Sequence, residues 1–266
     1  MLKVGTALYK ILNSDVRFSE DIDLTVKKLS EDSKSSNQRR LEKSAFSYTI
    51  PGVELNKDKS LKKKDSVISF YNYDTVSGSV QLPLQRSGEI QIEATSFTVS
   101  EPIKQYTLEH FIYKLASDKE KEILENTYNI KPFEIYIIAL ERIFVDKIFA
   151  IEFYYSRELY FDASKHIFDI CYLVNHIDIQ NLLNNKEELN KLIGYKRDEE
   201  SKRFGGIDKE TKIKDFKYFQ LENLDKIEPS FVLMQDKYVL NKKYKIDIDT
   251  VKDTLEKLYK IFSNIN

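Results

Sequence analysis

A chain of 266 residues with 41% apolar and 12% aromatic side chains, all the aromatics Tyr or Phe, can pack one large domain or two modest ones, which excludes wholesale disorder. Its 42 Lys and Arg nearly cancel 43 Asp and Glu, so a formal net charge of -1 excludes a global basic field for nucleic acid but allows local patches. One cysteine, Cys171, excludes an internal disulfide, and with three His it makes a zinc centre built on N and S ligands improbable.

Residues Thr6 to Asn13 show helical periodicity, with Leu8, Ile11 and Leu12 on one face and Thr6 near the cap. A strand holding Asp21 and Asp23 follows and ends near Val26. Residues 35–50 read as a helix, or a helix followed by a strand. Val53 to Ser66 is rich in Lys and Asp and is expected to be exposed. Ile68 to Asp74, Ser79 to Leu84 and Gly88 to Phe97 read as strands, with turn signals at Ser77-Gly78 and Ser87-Gly88.

Beyond Glu101-Pro102 helical spacing takes over. It marks Leu108 to Leu115, Pro132 to Tyr155, Phe161 to Asn175 and Ile179 to Leu192. Cys171 lies inside this pattern as a core thiol. Tyr195 to Lys214 is charged, contains Gly205-Gly206 and reads as a mobile connection. Asp249 to Ile265 is a terminal helix, with Asp249 as its N-cap and Val251, Leu255, Leu258 and Phe262 on one face. The longest apolar run, Ile135 to Leu140, is far too short for a membrane span, and no secretion signal opens the chain, which reads as cytoplasmic. The expected fold class is α+β: a mixed sheet with flanking helices over residues 1–105, then a mainly helical module over 106–266.

Asp21 and Asp23 are the chemically informative residues. Carboxylates at i and i+2 of a strand project from one face, while Ile22 and Leu24 point the other way into a core. Such a pair suits a hard divalent cation, which prefers oxygen ligands and commonly works beside substrate phosphates. Gly5-Thr6, opening a helix upstream, offers backbone N–H groups to phosphate. In Glu89-Ile90-Gln91-Ile92-Glu93 the alternation puts both glutamates and Gln91 on one face, so Glu93 or Glu89 is a candidate third metal ligand. Each feature has a bland alternative: an exposed acidic strand end, a simple helix start, or the wet side of an antiparallel strand.

Lys3-Val4-Gly5-Thr6-Ala7-Leu8-Tyr9-Lys10, followed by Arg17-Phe18-Ser19-Glu20-Asp21-Ile22-Asp23-Leu24, resembles the first two motifs of the AbiEii-type nucleotidyltransferases. These are toxins of bacterial abortive-infection, or type IV toxin–antitoxin, systems within the polymerase-β-like superfamily. Glu141 to Ala150 resembles the motif whose essential Lys falls on Lys147, and Ser164 to Ile170 resembles the motif whose acid falls on Asp169. Where the family has two glycines this chain has Val4-Gly5.

The resemblance implies a nucleotidyltransferase-type sheet and a Mg²⁺-dependent transfer of a nucleoside monophosphate from an NTP to tRNA or another RNA, with a cognate antitoxin protein as partner. It implies that Gly5 and Thr6 contact the triphosphate, Asp21 and Asp23 bind Mg²⁺, Lys147 binds phosphate, and Asp169 orients Lys147 or moves a proton. Lys10, Arg17 and Ser19 are further phosphate-binding candidates. Read from the residues alone, Lys147 also fits a snorkelling surface lysine, and Asp169 a surface pair with Lys165. Two basic stretches, Lys57 to Lys64 and Lys196 to Lys214, either face an RNA or are solvated loops. His110, His166 and His176 read as structural or surface residues. The alternative functions are nucleotidylation of a small molecule or protein, and a nucleotide-binding interaction protein without turnover.

Overall fold

The computed structural model describes residues 2–12, 14–29, 33–75, 88–98, 101–203, 205–220 and 224–265. β1 (Leu2–Lys3) runs directly into α1 (Val4–Ile11), and the chain returns to β2 (Asp21–Thr25), antiparallel to β1 with Asp23 opposite Lys3. β2 also pairs in parallel with β5 (Glu89–Thr95), which places Asp21 beside Gln91 and Asp23 beside Glu93. β4 (Ser66–Tyr73) and β3 (Val53–Lys63) extend that side antiparallel. On the other side β7 (Phe133–Ile138) lies parallel to β1, and β6 (Ile103–Leu108) antiparallel to β7. The order among the described residues is β3-β4-β5-β2-β1-β7-β6, a mixed sheet.

Side-chain alternation decides what each face of the sheet does. Leu24 packs into a small cluster of Leu41, Ala45, Val67 and Ala94 beneath α2 (Lys34–Phe46), a helix capped by Ser33. With period two, Asp21 and Asp23 must then face away from α2.

The larger core belongs to the helices that follow. α3 (Phe111–Leu115) and α4 (Asp118–Tyr128) bury none of their residues, whereas α5 (Leu140–Tyr155) and α6 (Tyr160–Leu173) form its centre. Around them lie α7 (Ile177–Asn184), α8 (Lys186–Glu200), α9 (Leu224–Tyr238) and α10 (Ile248–Ser263). Phe144, Phe149, Phe168 and Leu255 are fully withdrawn from water in this core, each contributing about 1.5–3 kcal/mol. Ala7 and Leu8 of α1 and Ile137 of β7 belong to the same cluster. The expected boundary at residues 105/106 falls inside β6, and sheet and core both run through it. No helix among the described residues is long and apolar enough to cross a membrane.

Several elements differ from the sequence reading. Pro132 to Tyr155 is not one helix: Phe133–Ile138 is a strand in which Ile135 and Ile137 turn inward and Glu134 and Tyr136 outward. That period-two run abuts α5, whose apolar residues mask the change of period. Leu108 closes β6, leaving only Phe111–Leu115 helical. The stretch Ile179 to Leu192 breaks at Asn185, which caps α8 by accepting the Glu188 N–H at 3.1 Å. The supposed mobile connection begins as the last turns of α8, with Glu199 and Glu200 buried. The cap of α10 is Asp247, accepting from Thr250 N–H at 2.7 Å, rather than Asp249. The expected strand Ser79 to Leu84 and the turn at Ser77-Gly78 lie outside the described residues. Cys171 is buried as expected.

Glu152 shows how α5 holds the connection before α9. Its carboxylate accepts the Lys217 N–H at 2.8 Å, and burial pushes its pKa up to about 7 against the opposing effect of that bond. A carboxyl raised on folding stabilises fully below its unfolded pKa, about 4.3, and loses that contribution as pH rises through about 7. Melting temperatures taken across this window should therefore fall with rising pH in the native chain. The same curve should be flatter in Glu152→Gln, which keeps an acceptor for the Lys217 amide.

Candidate active site

Asp169 on α6 is fully buried, and its carboxylate serves three partners. Arg17 donates Nε to Oδ1 at 2.7 Å and a terminal N–H to Oδ2 at 2.8 Å. Lys147 of α5 places Nζ 2.7 Å from Oδ2, and the Tyr9 hydroxyl of α1 donates to Oδ1 at 2.5 Å. Arg17 is 6% exposed and Lys147 1%, so the reading of Lys147 as a snorkelling lysine and of Asp169 as a surface partner of Lys165 is corrected. Lys165 instead meets Asp162 at 3.2 Å.

Burial alone would raise the Asp169 pKa, but the Arg17 and Lys147 charges outweigh it and hold the carboxyl well below the usual range. Burial lowers Lys147, and Asp169 opposes the shift. Burial and the Lys147 charge together drive His166 well below its ordinary value, which keeps its ring neutral. His166 is not the peripheral residue expected from sequence: its Nδ1 lies 3.4 Å from Lys147 Nζ, and its ring stacks on Tyr154 with centroids 5.4 Å apart.

Beside this cluster opens a cavity of about 320 Å³. The strands contribute Asp21, Asp23 and Glu93; the helices contribute Lys147, Lys165 and His166. Asp23 is close enough for its charge to act on Lys147. Gly5 and Ser19 complete the cavity at the start of α1. A Cβ on Gly5 would fall 2.8 Å from Ser19 Oγ, so glycine lets the returning loop press against the helix opening. The Thr6 hydroxyl donates to the Asp21 carbonyl and lies 3.1 Å from Ser19 Oγ. The far side of the loop is fastened by Tyr238 at the end of α9: its carbonyl accepts the Phe18 N–H at 3.0 Å, and its hydroxyl donates to Glu20 at 2.8 Å.

The candidates named from sequence therefore separate by position. Gly5, Arg17, Ser19, Asp21, Asp23, Glu93 and Lys147 line the cavity. Thr6 and Lys10 line a neighbouring cavity of about 210 Å³ behind the Arg17–Ser19 loop. Asp169 lies beneath both, and Glu89 pairs with Lys59 at 2.6 Å away from the site. Sequence reasoning missed the contribution of α8: Lys196, Glu199, Glu200 and the following Arg203 also line the cavity. Lys196 meets Glu200 at 2.9 Å, and Glu199 receives the buried Arg142 at 2.7 Å. The i, i+4 spacing of Lys196 and Glu200 was visible, but it carries no sign of where the helix lies.

Asp21 and Asp23 offer oxygen donors of negative charge, whose chemistry fits a hard cation such as Mg²⁺ rather than zinc, and Glu93 lies beside Asp23 in the register of β2 and β5. Among the described residues no group of three ligating side chains closes around a point, so Glu93 lines the site without completing a three-ligand cage. Mg²⁺ commonly needs only one or two carboxylates, retaining waters and substrate phosphates for its other positions.

A sequence comparison with curated proteins returned no match. Two solved structures align over 98% of this chain. A protein from H. pylori assigned as a nucleotidyltransferase shares 17% identity over 85% of its own length, with a TM-score of 0.41. MenT4, a nucleotidyltransferase toxin from Mycobacterium tuberculosis H37Rv, shares 10% identity over 84% of its length, with a TM-score of 0.42. The model of the AbiEii nucleotidyl transferase toxins matches residues 2–253, and the chain belongs to that family of type IV toxin–antitoxin nucleotidyltransferases.

Proposed function

We propose that the enzyme uses Mg²⁺ to transfer a nucleoside monophosphate from an NTP to a hydroxyl of an RNA acceptor, tRNA being the expected class, and that this modification is the toxic act. The observation that carries the reading is a single cavity holding the Asp21/Asp23 pair on the strands and a buried lysine, Lys147, on the helices. Family membership implies a nucleotide substrate and a cognate antitoxin.

Each residue has a task in that reaction. The acceptor oxygen forms a bond to the α-phosphorus, the bond to the bridging oxygen breaks, pyrophosphate leaves, and the proton of the acceptor hydroxyl passes to solvent. Backbone N–H groups in the first turn of α1, beginning at Gly5, receive phosphate oxygens. Asp21 and Asp23, with Glu93 beside them, would hold Mg²⁺, which would supply positive charge to the reacting phosphate oxygens. Lys147 has three N–H donors; Asp169 and His166 face two of them and leave the third for a phosphate oxygen. Asp169 positions Lys147 in this scheme: two cations hold it as an anion, which suits it poorly to accept a proton.

The test is radiolabel transfer. Wild-type protein with a labelled NTP, Mg²⁺ and total RNA should label RNA, and Asp21→Ala or Asp23→Ala should reduce labelling by at least about a hundredfold. Undiminished transfer by both variants would exclude this site. Label recovered only in protein or in a small molecule would reassign the acceptor, and NTP binding without transfer to anything would favour an interaction protein.

Asp169→Asn removes the anion that compensates two buried cations and should cost about 3–5 kcal/mol in urea denaturation at neutral pH. The folded-state pKa of Asp169 is depressed, so its contribution is complete above the unfolded value, about 3.9, and is lost as pH falls through the folded one. The Asn variant should lack that component of acid destabilisation.

A further inference from the structure

A groove of about 550 Å³ adjoins the candidate active site and shares two lining residues with it, Phe97 and Thr98. Its cations come from chain segments far apart in sequence. Lys27 and Lys28 lie just past β2, after Val26, four and five residues beyond Asp23, and Lys202 lies just past α8. The turn joining β3 to β4 reaches the groove through Asp65, next to the exposed Lys62-Lys63-Lys64. Of the two basic stretches singled out in the sequence, Lys196 to Lys214 contributes Lys202 to this groove, and Lys57 to Lys64 adjoins it only through Asp65.

Lys27, Lys28 and Lys202 are all exposed. Two acids, Asp65 and Glu101, share the groove with them. Glu101 approaches Lys27 at 3.6 Å, but these side chains are 60% and 64% exposed, an arrangement in which solvent and salt weaken the pair. Phe97, partly exposed at the junction, offers a ring where the groove meets the cavity. A basic track ending at an aromatic face is the combination that single-stranded nucleic acids use, phosphates on the cations and a base on the ring.

We propose that this groove binds the single-stranded end of the acceptor RNA, with Lys27, Lys28 and Lys202 on its backbone and Phe97 stacked on a base near the reacting hydroxyl. The assignment rests on the reading of the acceptor as RNA. It makes the groove a sequence-tolerant guide, since neither phosphate contacts nor ring stacking reads base edges.

The experiment compares wild type with Lys27→Glu/Lys28→Glu/Lys202→Glu, and with an equally charged control, Lys242→Glu/Lys257→Glu/Lys260→Glu, altered at exposed sites elsewhere. Binding of a fluorescein-labelled single-stranded RNA is read by anisotropy across a salt series, NTP binding by calorimetry, and RNA labelling as above. The groove variant should bind RNA at least about tenfold more weakly, with a salt slope shallower by about 2, since each backbone contact on a single strand accounts for about 0.7. Its NTP affinity should be unchanged, and Phe97→Leu should lose about tenfold in RNA affinity without a change in slope. Equal losses in the control variant, or RNA binding and labelling unaffected by the groove substitutions, would overturn the groove while leaving an RNA acceptor intact. Wild-type protein that labels a protein and no RNA would overturn the acceptor reading and the groove with it.

Discussion

The ion cluster of Asp169 with Arg17 and Lys147 is the constraint on which the site depends. Removing two cations and one anion from water costs several kcal/mol per ion, and their mutual attraction recovers this only when the geometry is good. Here it is good: the guanidinium approaches the carboxylate in a bidentate manner, and lysine and tyrosine take its remaining lone pairs. Such a cluster is weak evidence for stability, since apolar packing can match it. It does fix positions. It joins α1 through Tyr9, the loop before β2 through Arg17, α5 through Lys147 and α6 through Asp169. Three residues separate Arg17 from Asp21, so the same contact that anchors the lysine also anchors the approach to the carboxylate strand.

The fit between α1 and that loop follows from the same anchoring. Arg17 can reach Asp169 only if the loop crosses close to the start of α1, where a Cβ on Gly5 would meet Ser19. Tyr238 then holds the loop from the other side through Phe18 and Glu20. The long helix α9, late in the chain, therefore supports the motif that carries Asp21 and Asp23. Around the cavity the strands supply the carboxylates Asp21, Asp23 and Glu93, while the helices supply both signs, Lys147, Lys165 and Lys196 among Asp146, Asp162, Glu199 and Glu200.

What was legible in the sequence was local. The period-two placement of Asp21 and Asp23 against Ile22 and Leu24 survives because strand alternation needs no knowledge of distant residues, and Leu24 does pack beneath α2. The alternation of Glu89, Gln91 and Glu93 was equally readable, yet only the parallel register of β2 and β5 separates Glu93 beside Asp23 from Glu89 beside Lys59. Lys147 and Asp169 were chosen through resemblance alone. Their residues read naturally as surface lysine and surface pair, because a buried charge cannot be recognised until its partner is known. Arg17 lies 152 residues from Asp169, and nothing in either neighbourhood announces the other. The strand Phe133–Ile138 was hidden for a different reason, its short alternating run being continuous with the apolar face of α5.

His166 shows why a residue dismissed at the level of sequence can matter in the site. Three histidines and one cysteine give little reason to expect a zinc centre, and a lone His on a helix is ordinarily a packed or exposed residue. In the fold its environment decides its state: burial and the adjacent Lys147 keep it neutral, so its ring nitrogen can accept from the ammonium without adding a charge. A protonated imidazole there would place a third cation beside Arg17 and Lys147 with only Asp169 to compensate. The neutral ring, stacked on Tyr154, instead adds a polar contact at no electrostatic expense, which leaves the Asp169 carboxylate to balance the two cations it already holds.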